Sequence, residues 1–291
     1  MQSLDKIRRR IRSIKVTAKI TGAMKLVATA KMKQLTNNFK KTTTYINDFY
    51  NIMGELFLNV DEKKINKKIT TTKSLWIVIT SSLGLCGGYN TAICKETMAK
   101  MNKDDDLIII GKKGYSYFKS RKIIKNIINQ YDFGDQVIDH YYFLPLTESI
   151  MQMYEENKYA NINLCYTTFV NSLVFNPRII RLLPLDKKLF HPDDSNHKFT
   201  SLTKDNKEII YEASREEIIK SISPLYITTL IYGAYSESRL CEFASRRNAM
   251  ENATDNANEL IEQLTLEYNV VRQQNITQEI NEIVGGSSAG E

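Results

Sequence analysis

Residues 3–32 read SLDKIRRRIRSIKVTAKITGAMKLVATAKM, and the spacing within them decides how the ends of the chain fold. Apolar or small side chains fall at Leu4, Ile7, Ile11, Ile14, Ala18 and Thr21, in alternating steps of three and four, as in a coiled-coil seam. Ala23, Met24, Val27, Ala30 and Leu35 continue an apolar stripe, and Phe49, Met53 and Leu56 follow. No proline precedes Pro145, and only Gly22 and Gly54 precede Gly84. The pattern predicts one helix from about Ser3 to Val60, with Ser3 as N-cap. At 1.5 Å per residue it would be roughly 85 Å long.

The other end mirrors the first. No proline follows Pro224, and Gly233 is the sole glycine between it and Gly285. Met250, Ala253, Ala257, Leu260, Ile261, Leu264, Tyr268 and Val271 mark one face, and Ile276, Ile280 and Ile283 resume it after a slip. This predicts a helix from about Lys207 to Val284, kinked near Pro224, where a backbone donor is lost. Charge supports pairing of the two ends. Residues 1–41 hold twelve basic groups against Asp5 alone, whereas residues 206–291 hold seven basic and fourteen acidic groups. Two long helices with apolar seams and opposite charge are expected to pair as an antiparallel coiled coil.

Residues 70–203 have a different rhythm. Short apolar runs at Leu75–Thr80, Leu107–Ile110, Ile162–Val170 and Ile179–Leu183 read as strands. Thr91–Met101, Lys113–Ser120 and Thr147–Lys158 have helical length. Alternating strands and helices imply a mostly parallel, Rossmann-like α/β domain. The expected organisation is an N-terminal shaft helix over 1–60, a central α/β domain over 70–203 and a C-terminal shaft helix over 207–285. Pro192–Asn206 reads as a polar loop leading into that last helix.

Composition narrows the chemistry. Cys86, Cys94, Cys165 and Cys241 show no CxxC spacing and do not cluster with His140, His191 and His197, which argues against a zinc site or disulfide framework and for a reducing setting. The longest apolar run, Leu75–Ile79, is far short of the roughly 20 residues that span a bilayer, so membrane association is expected only through partners or charge. The basic N-terminal segment could meet nucleic acid, a membrane surface or an acidic protein. It has no aromatic before Phe39, so the stacking platforms of single-strand binders are missing.

The most enzyme-like feature is GLCGGYNT, residues 84–91, which follows a strand and opens a helix. A Walker loop needs G-x-x-x-x-G-K-[ST]; here Tyr89 stands at the second glycine and Asn90 at the lysine. A dinucleotide turn needs G-x-G-x-x-G; Ser82, Gly84 and Gly87 give S-x-G-x-x-G. The acidic partner should end the second strand, yet Asp104, Asp105 and Asp106 precede it. The turn reads as structural, its glycines permitting tight backbone geometry, and Cys86 as a buried thiol rather than a nucleophile. No HExxH, GxSxG or paired-carboxylate constellation occurs. The residues therefore favour a non-catalytic protein with a long helical shaft and no metal or cofactor; a nucleotide-binding enzyme using the Gly84 turn and a basic coiled-coil nucleic-acid binder stay open as other classes, and the absence of a nucleic-acid partner is implied only by resemblance.

Three stretches carry a resemblance. NAMENATDNANELIEQLTLEYNVVRQQNITQEINEIVGG (Asn248–Gly286), the quoted residues 3–32 and GLCGGYNT are similar to the end, the start and the first-strand loop of the gamma subunit of rotary F-type ATP synthases. The resemblance spans almost the whole chain. It implies a central-stalk rotor with no catalytic residue of its own, inside a ring of alpha and beta subunits. Its α/β domain would meet the epsilon subunit and the membrane c-ring at the cytoplasmic face of a bacterial membrane. It further implies that Arg272, Gln273, Thr277 and Glu279 meet a loop of beta, and that Met24 and Arg246 lie near the acidic lever of beta. The basic stretch Lys6–Lys33 would face acidic carboxylates there. The sequence departs from the family pattern at Ser82 and Leu83, where charged residues are usual, at Arg247, where methionine is common, and in its polar C-terminus. The alternative is a gamma-like shaft of a specialised F-type ATPase that drives another mechanical process.

Overall fold

The computed structural model describes residues 4–57, 60, 65–66, 69–134, 136, 138–185 and 211–288. In chain order these form α1 (Leu4–Phe57), β1 (Ser74–Ile79), α2 (Tyr89–Lys100), β2 (Asp106–Ile110), α3 (Lys112–Ser120), β3 (Ile127–Tyr131), α4 (Leu144–Glu155), β4 (Asn161–Phe169), β5 (Phe175–Leu183) and α5 (Arg215–Ser288). Short 3-10 turns precede β3 and α4. Contacts divide the chain into two compact units, Met1–Ala30 with Arg246–Glu291, and Lys31–Ser245. Both long helices contribute to each.

The second unit is built on a five-stranded sheet of order β3-β2-β1-β4-β5, parallel except for the antiparallel β4–β5 pair. Every residue of β1 and β2 is buried, as expected of central parallel strands covered on both faces. Alternation then assigns the faces. Leu75, Ile77, Ile79, Ile108, Ile110, Ile162 and Leu164 pack with Met53 and Phe57 of α1, Ile150 of α4 and Ile227 and Ile231 of α5. Trp76, Val78, Leu107, Ile109 and Cys165 pack with Ile93 of α2 and Phe118 of α3.

The edge of the sheet where the parallel strands begin is fixed by Asp105. Its carboxylate accepts from the Ser74 amide at 2.8 Å, Trp76 Nε1 at 2.9 Å and the Asn102 amide at 2.9 Å. Asp106 accepts from the Tyr159 hydroxyl at 2.6 Å and pairs with Lys73 Nζ at 2.7 Å. At the other edge Gly111 takes φ 99°, and a Cβ there would meet the Thr80 carbonyl oxygen at 2.3 Å. The close approach lets Thr80 Oγ1 donate to Ile110 O at 2.9 Å and accept from the Gly114 amide at 3.0 Å.

Several sequence expectations need correction. β3 was not anticipated; its burial pattern, with Ile128–Gln130 exposed, gives neither alternation nor an apolar run. β5 begins at Phe175 rather than Ile179, passing through Pro177, which an edge strand tolerates. α1 ends at Phe57, before Val60, and the Ser3 cap lies outside the described residues. α5 starts at Arg215, with residues 211–214 outside it; residues 207–210, like the Pro192–Asn206 loop, lie outside the described residues. The start is set by a capping box. Ser214 Oγ accepts from the Glu217 amide at 3.2 Å, and the Glu217 carboxylate accepts from the Ser214 amide at 3.3 Å. The helix continues through Pro224, whose carbonyl is met by Thr228 Oγ1 at 2.8 Å.

Candidate functional site

In the first unit the α1 seam falls where the spacing put it. Leu4, Ile7, Ile11, Ile14, Ala18 and Thr21 are covered or partly covered, while Lys6, Arg8, Arg9, Arg10, Arg12, Lys15 and Lys19 are exposed. Thr254 Oγ1 donates to Thr21 Oγ1 at 2.8 Å, and Lys25 Nζ meets Glu251 at 2.8 Å. The Lys25 ammonium, by hydrogen bond and charge, holds the Glu251 carboxyl below its ordinary range. These two pairs fix an antiparallel register, because a step forward along α1 from Thr21 to Lys25 is a step back along α5 from Thr254 to Glu251.

Beyond Thr21 the seam turns away from the expected stripe. Met24 and Ala28 are the covered residues; Ala23, Val27 and Ala30 are exposed, Val27 by 61%. Val16, Ile20 and Leu26 are exposed as well. Val16, Ile20, Ala23 and Val27 repeat the four-three-four step, so α1 carries a second apolar stripe turned to solvent. Sequence reasoning merged the two stripes, although the doubled spacing was there to be read. On α5, Met250, Ala257 and Leu264 are buried and Leu260 is exposed.

Carrying the register back from Thr21 puts Leu4 opposite about residue 271, since both helices rise equally per residue. α5 therefore continues nearly five turns past the first described residue of α1. Ile276, Ile280 and Ile283 are consequently exposed rather than resuming a buried face. Arg272, Gln273, Thr277 and Glu279 all lie at or within this extension, and all are exposed. Arg272 and Glu279 are two turns apart on one face, about 10 Å along the axis, too far to pair with each other. Gln273 and Thr277 form a separate patch about 100° around, with Thr277 Oγ1 donating to the Gln273 carbonyl at 2.9 Å. Met24 is half-buried in the seam. Arg246 is only 6% exposed, so little of its side chain is open to a partner.

In the second unit the glycine turn is closed off. In open α/β sheets ligands sit outside the carboxyl ends of the strands where the strand order reverses, here between β1 and β4. That crevice is filled by α5. Tyr89 OH donates to Ser238 O at 3.0 Å, Ser238 Oγ accepts from the Thr167 amide at 3.1 Å, and Ser245 Oγ donates to Cys86 O at 2.7 Å. Asn90, standing at the Walker lysine position, staples the turn instead: its Oδ1 accepts from the Ser81 amide at 2.9 Å and its Nδ2 reaches Ser81 Oγ at 2.8 Å. Leu85 takes φ 61° and Gly87 φ 54°, so one glycine and one leucine, not all three glycines, supply the left-handed backbone. Ser82 Oγ donates to Asp132, which Lys112 also pairs at 2.8 Å, and these two partners hold the Asp132 carboxyl below its usual range. Leu83 is exposed.

All four cysteines are buried, and desolvation pushes the Cys94 and Cys165 thiols up to about 12, where almost no thiolate forms. Among the described residues no group of three or more His, Cys, Asp or Glu could hold a metal ion, and no helix is long and apolar enough to cross a membrane.

An antiparallel pair of terminal helices and a mixed sheet whose crevice is filled by α5 define the class of helical stalk subunits. The model of the ATP synthase family matches residues 3–289. The ATP synthase gamma chain of Mycoplasmoides gallisepticum is 37% identical over 294 residues, covering 99% of this chain and 100% of the relative. That of Malacoplasma penetrans is 39% identical over 291 residues, covering 99% of each. Among solved structures, the central stalk/c-ring of the Tetrahymena thermophila mitochondrial ATP synthase matches with TM-score 0.62 at 25% identity, over 80% of this chain and 99% of that one. The Euglena gracilis mitochondrial OSCP/F1/c-ring assembly matches with TM-score 0.70 at 18% identity, over 98% and 94%. The chain belongs to the ATP synthase gamma-chain family.

Proposed function

We propose that this chain is the central-stalk rotor of an F-type ATP synthase, coupling rotation to ATP synthesis or hydrolysis at the beta subunits and to proton movement through a c-ring, with no catalysis of its own. The observation that carries the reading is full-length family membership. The closed crevice and the extension of α5 past α1 are in keeping with it. α1 (Leu4–Phe57) and α5 (Arg215–Ser288) supply the shaft helices, and the five-stranded sheet with its covering helices the foot domain. The partners are the alpha and beta subunits, epsilon and the c-ring, and the chain reaches the cytoplasmic face of the membrane only through them.

In this reading Arg272, Gln273, Thr277 and Glu279 offer beta two polar faces of one helix, and Met24 and Arg246 sit by its acidic lever. The exposed basic groups of α1 give that lever a long-range, sliding attraction, and Val16, Ile20 and Val27 add apolar contact. A conformational bias of this kind needs contacts that differ between beta states. The test is to assemble the chain with alpha and beta and measure ATP turnover. Gln273→Ala or Thr277→Ala is expected to slow turnover several-fold while the helical circular dichroism of the isolated chain stays unchanged. Unaltered turnover removes those residues from the contact, and failure to co-assemble removes the reading.

A further inference from the structure

The edge of the sheet where the parallel strands begin is basic on the side covered by α2 and α3. No acidic residue stands between Asp106 and Asp132, and Lys119, Arg121, Lys122 and Lys125 all fall where α3 ends and the chain turns into β3. All four are exposed. Lys103, in the turn before β2, joins them, because Asn126 Nδ2 donates to Lys103 O at 2.9 Å and to Asp105 O at 2.6 Å and so ties the two turns together. Asp105 and Asp106 are buried, which leaves Asp104 as the exposed acid of this turn. On the other face of the sheet the end of α4 carries exposed Glu155 and Glu156 instead. Cations at a helix C-terminus complement the helix dipole, but that effect is confined to the last turn, and Lys103 and Lys125 lie outside α3.

The backbone gives a second, independent sign. α3 closes with Ile123 N donating to Phe118 O at 3.2 Å and Lys122 N to Lys119 O at 3.1 Å, which puts Lys122 at φ 62°. Glycine, and after it asparagine, holds such a left-handed position at least cost. α4 closes in the same way at the same edge, Lys158 N donating to Met153 O at 3.1 Å and Asn157 N to Tyr154 O at 3.0 Å, and there an asparagine takes the position, at φ 55°. On α3 a lysine stands in its place, so a charge is kept at this edge against the preference of the backbone. Strain of this kind points to a functional constraint.

The cations are also backed by aromatic rings. The Arg121 guanidinium lies 3.6 Å from the centre of the Tyr117 ring, and Lys119 Nζ lies 6.0 Å from that of Tyr115. Half-buried tyrosines beside long cationic side chains suit a boundary between apolar lipid and water.

We propose that this edge, through Lys103, Lys119, Arg121, Lys122 and Lys125, docks on the headgroups of an anionic phospholipid membrane. Four of the five are lysines, whose point charges suit a diffuse negative surface, whereas contacts to individual nucleic-acid phosphates favour the guanidinium fork. The docking rests on the rotor reading to bring this unit to a membrane, and it goes beyond attachment through partners by adding direct contact with lipid.

The basic groups of α1 also attract anionic vesicles, so the readout has to be local. The native cysteines are buried, and an environment-sensitive fluorophore can be carried by Ser120→Cys at this edge or by Thr91→Cys, exposed at the start of α2 on the opposite edge. Mixed phosphatidylglycerol and phosphatidylcholine vesicles added to the full chain should shift the Ser120→Cys emission to the blue and leave that of Thr91→Cys in place, while phosphatidylcholine alone shifts neither. Joint replacement Lys119→Gln, Arg121→Gln, Lys122→Gly and Lys125→Gln should raise the lipid needed for half the shift by about tenfold or more, with the melting curve retained. Lys122→Gly alone should weaken binding by about twofold or more and raise the melting temperature, because it frees the left-handed position. Absence of a shift at Ser120→Cys, an equal shift at Thr91→Cys, or an undiminished response in the folded fourfold variant overturns the docking. So does a duplex oligonucleotide that produces the same shift at lower phosphate concentration, which makes the edge a nucleic-acid surface. Alpha, beta and the c-ring are absent from this assay, so its failure leaves the turnover test of the rotor reading untouched.

Discussion

The two units use apolar residues in different ways. The sheet unit buries whole strands, β1 and β2 without an exposed residue, between two helical layers. The coil unit buries single positions such as Ile7, Ala28, Ala257 and Leu264 and leaves Val16, Ile20, Leu26, Val27, Ile276 and Ile280 in water. A core made from strands buried on both faces is self-sufficient. A seam one residue wide, lined partly by alanine and threonine, is not closed in this way, and the apolar surface it leaves open is of the kind that marks contact sites. The difference is that between a part whose apolar residues are closed off and a part that leaves a share of them in water.

Breaking the sheet unit should cost most. Gly111→Val sets a branched side chain at φ 99° against the Thr80 carbonyl, where no shift of a flexible neighbour relieves it. The loss should exceed about 3 kcal/mol, seen as failure to accumulate folded chain or a collapsed melting temperature. Asp105→Ala strands the Ser74 and Asn102 amides and the Trp76 indole N–H, for a loss of about 2–4 kcal/mol in denaturant titrations. Trp76 is the only tryptophan, so its emission reports both the local change and global unfolding.

A matched pair sharpens the comparison. Ile77→Ala and Ile7→Ala remove the same atoms from fully covered sites, and the first should cost about 3–5 kcal/mol against about 2 for the second, because a two-helix seam collapses around a deletion more easily than a closed core. Equal losses would undo the distinction. The smallest effect is expected from Lys25→Met. Because the Glu251 carboxyl is held below its usual value in the folded chain, the pair's contribution is present above the unfolded carboxylate range and fades as pH falls through the lowered value. Thermal melts across acid pH should show this shallow loss in the parent and not in Lys25→Met, with added salt erasing the difference.

How far the sequence revealed this depended on what each residue faces. Leu4 to Thr21 were legible because one seam repeats with a fixed step. The stripe through Ala23 and Val27 was misassigned because a second seam overlaps the first, and spacing alone does not say which of two stripes is covered. β1 and β2 announce themselves as apolar runs, whereas the exposed middle of β3 reads as loop. Arg272, Gln273, Thr277 and Glu279 are ordinary exposed helix residues, carrying no physical signal of a role; only resemblance singled them out. The crevice over the glycine turn was argued empty of ligand from Asn90 and the aspartates, but that α5 fills it rests on contacts between residues about 150 positions apart, which no local pattern encodes.

The central claim is that this chain turns. All four native cysteines are buried, so Ser116→Cys on the exposed surface of α3 offers a selective handle for a bead. With the assembled complex immobilised through its beta subunits, addition of ATP should drive continuous rotation of the bead in one direction, stopping when ATP is removed. A bead that stays fixed while the same complex hydrolyses ATP would contradict the account.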